Sequence, residues 1–135
     1  MVFTNGDFDV LHRGHVTYLA AARKLGESLL VALNSDSSVR TLHKGDDRPL
    51  NTELDRMVVL AALESVSAVM LFEQSTPCAA LHLVRPEIYV KGGDHDIEAL
   101  EETKLVRSWG GRALTLPFVD GYSTTELLRR ARACS

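Results

Sequence analysis

The stretch VFTNGDFDVLHRGHVTYLAAARKLG, residues 2 to 26, decides how the rest of the chain is read. VFTN (2–5) is a short apolar run of the kind that forms a buried strand. GDFDVLHRGH (6–15) follows, polar and marked by two glycines and two histidines. HVTYLAAARKLG (15–26) then carries apolar residues at helical spacing and stops at Gly26, a usual helix-end residue. A strand, a glycine turn and a helix opening on His15 are the expected first unit.

Moving outward, the same alternation repeats. SLLVALNSD (28–36), SAVMLFE (67–73), EIYVKGGD (87–94) and RALTLPFV (112–119) read as four more apolar strands. Between them TELDRMVVLAALESV (52–66), STPCAALHLVRP (75–86) and EALEETKLVRSWGG (98–111) read as helices, with Thr52 an N-cap and Pro77 at a first helical position. STTELLRRARA (123–133) closes the series, Ser123 and Glu126 standing at capping-box spacing. SSVRTLHKGDDRPLN (37–51) is the least regular part. Strands alternating with helices across short links predict an α/β, Rossmann-like, doubly wound fold: a mainly parallel five-stranded sheet with helices on both faces. No repeat, low-complexity tract or linker interrupts it, so residues 1–135 are expected to form one domain.

Bulk properties exclude several classes. Hydrophobic content of 45% and charged content of 24% suit a globular protein with its own core. The net charge is −3, and Lys and Arg are spread along the chain, which argues against nucleic acid or an anionic membrane as partner. No apolar run approaches the roughly 20 residues of a membrane span, and no signal segment opens the chain. Cys78 and Cys134 show no metal-ligand spacing. A reduced, cytoplasmic setting is expected.

In doubly wound sheets ligands sit beyond the carboxyl ends of the strands, where strand order reverses. There the chain places GDFDVLHRGH, NSD, HKGDDRP, KGGD and DGYSTT, a set suited to phosphate. Gly6 and Gly14 allow backbone to approach an anion. His15 and Ser123 fall at helix N-termini, where free N–H groups favour negative charge. His12 and His15 can both donate to one phosphate oxygen, neutral or charged. The G-x-G-x-x-G fingerprint and the G-x-x-x-x-G-K-[ST] loop are absent, which disfavours a nicotinamide enzyme and a P-loop kinase.

HRGH, at His12 to His15, resembles the HxGH signature of the nucleotidyltransferase superfamily, and YSTTELL resembles its Ser-Thr-rich motif at the last helix. Together with LNSD, the KG--RP-N pattern at Lys44 to Asn51, VKGGD and GYSTT, these stretches resemble the heptose-phosphate adenylyltransferase branch over nearly the whole chain. The resemblance implies transfer of AMP from ATP to a heptose 1-phosphate, with release of pyrophosphate, for the lipopolysaccharide inner core. It implies catalytic roles for His12, His15 and Lys44. It places the nucleotide against Gly6, Asp7, Phe8, Gly14, Lys91, Gly92, Asp94, Ser123, Thr124 and Thr125, and the sugar phosphate against Asp9, Lys44 and Arg56. Mg²⁺ is expected to accompany ATP, held mostly through the nucleotide phosphates, with Asp9 the protein carboxylate expected to bind it. A homodimer and a separate sugar kinase upstream are implied as partners.

Three departures from the family pattern stand out. Asp7 adds a negative charge beside the phosphates. Leu128 stands where a basic residue often closes the last motif, with Arg129 one place on. Phe118 and Val119 replace the Arg-Thr pair of glycerol-phosphate cytidylyltransferases, which counts against CTP. Two other readings share the fold: a transferase with a different nucleotide and acceptor, such as CTP and glycerol 3-phosphate, and a nucleotide-binding module without chemistry.

Overall fold

Neighbouring residues on the inner strands bury their side chains in different hydrophobic cores, which is why these strands read as unbroken apolar runs. Val2 belongs to one core and Phe3 to the other; Val31 and Leu33 join the first while Ala32 joins the second; Ile88 and Val90 flank Tyr89 in the same way. The computed structural model describes residues 1–41, 48–117 and 119–134. Its strands are β1 (Val2–Gly6), β2 (Leu29–Asn34), β3 (Ala68–Phe72), β4 (Ile88–Gly92) and β5 (Arg112–Leu116). Its helices are α1 (Arg13–Arg23), α2 (Asp36–Thr41), α3 (Glu53–Ala61), α4 (Cys78–Val84), α5 (Glu101–Ser108) and α6 (Thr124–Ala133).

All the strand pairings are parallel, and the sheet order is β3-β2-β1-β4-β5. Leu19 and Ala22 of α1 and Leu60 of α3 close the first core; Ala80 and Leu81 of α4 and Val106 of α5 close the second. Each fully buried Val, Leu or Phe contributes about 1.5–3 kcal/mol relative to an exposed one. The expected Rossmann-like α/β fold is therefore the observed one. No helix among the described residues is long and apolar enough to cross a membrane.

The order places the reversal between β1 and β4. From β1 the chain steps outward to β2 and β3, then returns to the other side of β1 for β4 and β5. The turn after β1 and the turn after β4 therefore face one crevice. One element differs from the sequence expectation. The polar stretch 37–51 holds most of α2, where Ser35 Oγ accepts from the Ser38 amide and Val39 is fully buried. Helix α6 buries none of its residues.

Candidate active site

The first helix begins at Arg13, two residues before the expected start, because His12 caps it. His12 Nδ1 accepts from the Gly14 amide at 3.0 Å, and the His12 amide donates to His15 Nδ1 at 3.3 Å. Histidines thus replace the Ser and Glu of an ordinary reciprocal cap. Both Nδ1 atoms act as acceptors, so each neutral ring carries its proton on Nε2. The two rings stack with centroids 3.9 Å apart, and Phe8 packs on His15 at 5.2 Å. Burial holds the His12 pKa below its ordinary value. The result is a pair of neutral N–H donors beside a helix N-terminus, a setting that favours an anion.

The glycines of this turn are explained by space. A Cβ on Gly14 would lie 2.9 Å from His12 Cε1 and 3.1 Å from Tyr122 Cβ. One on Gly6 would lie 2.9 Å from the Phe8 ring, itself held by a backbone with φ of +46°.

The start of α6 leans against this turn. Ser123 caps the helix through the Glu126 amide at 3.0 Å. Thr124 Oγ1 donates to the Val10 carbonyl at 3.1 Å, and Arg13 Nη1 reaches the Tyr122 hydroxyl at 3.4 Å. Between the two helix starts lies a cavity of about 270 Å³, lined by Leu11, His12, Arg13, Tyr122, Ser123 and Arg130 among others. Thr125, in the first turn of α6, is exposed. Arg129 is engaged by Glu126, whose carboxyl Arg129 and Arg130 hold down at about 2.

Two residues expected to hold substrate are occupied otherwise. Arg56 is buried and donates to the carbonyls of Asp7, Asn34 and Asn51 and to Asp36 Oδ1, at 2.8–3.1 Å. It does not pair with Glu53, which accepts from the Asp36 amide instead. Arg56 is a strut joining the ends of β1 and β2 to α2 and α3, and its fork leaves little for a phosphate. Asp9 is likewise buried: its oxygens accept from Arg48 Nε at 2.9 Å and from the amides of Leu50 and Asn51 at 2.7 and 2.8 Å. It organises the segment before α3, and these bonds already occupy the carboxylate expected to meet metal or sugar phosphate. Arg48 also lies 4.0 Å from Asp7 Oδ2. Arg48 and Asn51 carry this network, and nothing local in sequence marks their partners, which lie 39 to 42 positions away.

The family profile described as cytidylyltransferase-like matches residues 3–130, from β1 through the first turns of α6. The chain belongs to this nucleotidyltransferase family. It is 56% identical over 132 residues to a protein of Bordetella bronchiseptica named D-beta-D-heptose 1-phosphate adenylyltransferase, covering 98% of this chain and 82% of that one. It is 51% identical to the bifunctional protein HldE of Cronobacter sakazakii, covering 96% of this chain but 27% of that longer protein. Among solved structures, a lipopolysaccharide core biosynthesis protein of Thermoplasma volcanium superposes with a TM-score of 0.77 at 27% identity, over 88% of this chain and 97% of that one. A pantothenate synthetase of Thermus thermophilus, at 17% identity, 87% of this chain, 56% of that one and a TM-score of 0.58, shares the fold.

Within this nucleotidyltransferase the remaining expected residues fall as follows. Lys91 and Gly92 end β4, the strand beside β1, and Gly93 and Asp94 turn away from it. A Cβ on Gly93 would meet the Leu116 carbonyl and Pro117 Cα at 3.2 Å, so the turn packs against the end of β5. Lys44 and Phe118 lie outside the described residues. Cys78, which shows no ligand spacing in sequence, comes within 4.8 Å of carboxylate oxygens of Glu101 and Glu102. Burial pushes its thiol up, keeping it protonated, and the two glutamates occupy the first turn of α5, where the helix dipole favours them.

Proposed function

We propose that this nucleotidyltransferase moves AMP from MgATP to a D-glycero-D-manno-heptose 1-phosphate, giving ADP-heptose and pyrophosphate. The observation that carries the reading is the stacked pair of neutral histidines at the N-terminus of α1, both with Nδ1 engaged by backbone. In the reaction a sugar phosphate oxygen attacks the α-phosphorus, and the bond from that phosphorus to the bridging oxygen breaks as pyrophosphate leaves. Little covalent chemistry falls to the protein; positioning and charge stabilisation do the work. The Nε2–H groups of His12 and His15 donate to the α-phosphate as charge builds there. Ser123, Thr124 and Thr125, with the open amides of α6, receive the departing phosphates. Lys44 draws in phosphate oxygens, and the KGGD turn borders the nucleoside.

Magnesium enters on the nucleotide phosphates as part of the substrate, since the Asp9 carboxylate is fully engaged. The acceptor follows from the name of the Bordetella relative, to which this chain is 56% identical. On this reading a separate kinase supplies the sugar phosphate, and the product serves lipopolysaccharide inner-core synthesis.

Pyrophosphate release tests it, with MgATP or MgCTP against both anomers of the heptose 1-phosphate and against glycerol 3-phosphate. Turnover with ATP and one heptose anomer is expected. Turnover confined to CTP moves the chain to the cytidylyltransferases, and silence from folded protein in every well overturns the transferase reading.

A further inference from the structure

Asp7 raises an electrostatic question. It follows Gly6, the last residue of β1, and precedes Phe8, whose ring packs on His15. A carboxylate there repels the phosphates of any nucleotide held by the histidines. Asp9, two residues on, is a second carboxylate with no exposed side-chain surface. Among the described residues Arg48 is a cation these two share: its Nε bonds Asp9 Oδ2 at 2.9 Å and its Nη2 lies 4.0 Å from Asp7 Oδ2. Its side chain is only 10% exposed, and that of Asp7 13%, so solvent screens the group poorly. The other buried guanidinium nearby, Arg56, faces the Asp7 backbone carbonyl and gives its charge to Asp36.

We propose that Arg48 is a positioning residue for nucleotide binding, acting through charge: it offsets Asp7 so that an anionic phosphate chain can enter beside His12 and His15. Its bond to Asp9 is a separate, structural duty. The inference rests on the nucleotide reading above and adds a residue to it. The two duties separate by substitution. Arg48→Gln removes charge and geometry together. Arg48→Lys keeps the charge and loses the fork to Asp9. Asp7→Asn removes the charge that Arg48 opposes and leaves Asp9 untouched.

The experiment is calorimetric titration of MgATP, without sugar phosphate, into the parent, R48Q, R48K, D7N and D7N/R48Q, with thermal melting of each. R48Q is expected to bind about tenfold more weakly, within the range for coupled neighbours. D7N/R48Q is expected to recover to within about threefold of the parent, although both R48Q proteins have lost the Asp9 bond and melt at similarly lowered temperatures. R48K is expected to hold its affinity while melting lower. A double variant as weak as R48Q, an R48K as weak as R48Q, or an R48Q that binds like the parent each overturns the proposal. If R48Q does not fold, R48K decides: it must bind about as tightly as the parent, and a clear loss overturns the proposal. A parent that fails to bind MgATP overturns the nucleotide reading and the proposal with it; a parent that binds while the variants behave otherwise than stated overturns the proposal alone.

Discussion

His12 and His15 do two jobs with one ring each. Nδ1 satisfies the backbone at the start of α1, and that bond fixes the tautomer which leaves Nε2–H as donor. Gly14 is the condition for both, since a methyl there collides with the His12 ring. Gly14→Ala should therefore shift the clamp and lower kcat by about 10²-fold, the cost of a misplacement near 1 Å. His12→Ala and His15→Ala should each cost about 10²–10³-fold, as for one lost transition-state donor. Turnover within a few-fold of the parent in any of the three contradicts the assignment. The lowered pKa of His12 also gives stability a direction with pH. Folded His12 binds its proton less readily than unfolded His12, so its contribution is fully present above about pH 6.5 and lost as pH falls toward its folded pKa. His95, also lowered by burial, adds in the same direction. Melting temperature should fall below that pH, and should fall less steeply in His12→Asn; identical slopes would show that His12 does not titrate as argued.

At the level of elements, the strut made by Arg56 is the most sensitive joint. It holds three carbonyls and one carboxylate, drawn from the ends of β1 and β2, the start of α2 and the residue before the α3 cap. Arg56→Met keeps much of the bulk and strands all four acceptors, so unfolding in urea should show a loss of about 3–5 kcal/mol. Arg56→Lys should recover only part of it, because an ammonium cannot span the same fork; a loss under 1 kcal/mol in Met would mean that water replaces the guanidinium. The order of elements was readable because period and punctuation are local: each strand is an apolar run, and Gly26, Thr52 and Ser123 mark ends through their own backbone chemistry. The HRGH and STT stretches were readable for the same reason. The buried networks of Arg56 and Asp9 were not legible, because a charged residue near a phosphate site and one buried as a strut look alike in sequence. The difference lies in partners such as Asn34 and Leu50, 22 and 41 positions away. The cap at His12 was missed because histidine is not among the usual capping residues.

At the scale of the whole molecule, the site joins the two ends of the described chain. The histidine turn follows β1, at the centre of the sheet, and its core is closed by helices on both faces. The other half of the proposed site is the start of α6, which buries no residue and is tied to the turn by the Thr124–Val10 and Arg13–Tyr122 bonds. Helices without buried apolar contacts open at low free energy, whatever the stability of the core. Hydrogen exchange should therefore find the amides of α6 exchanging well before those of β1, β2 and β4. Thr124→Val removes the tie to Val10 and should speed exchange in α6 alone, leaving the melting temperature within a few degrees, since about 1 kcal/mol at the surface shifts it by that much. A bound nucleotide gripping both halves would oppose this opening, so MgATP should slow exchange in α6 more than in the strands. Protection of α6 equal to that of β1 in the free protein would mean that α6 opens only with the core. Exchange in α6 unaffected by saturating MgATP would mean that the phosphates do not reach it, and the half of the site assigned to Ser123, Thr124 and Thr125 would fall while the histidine clamp stood.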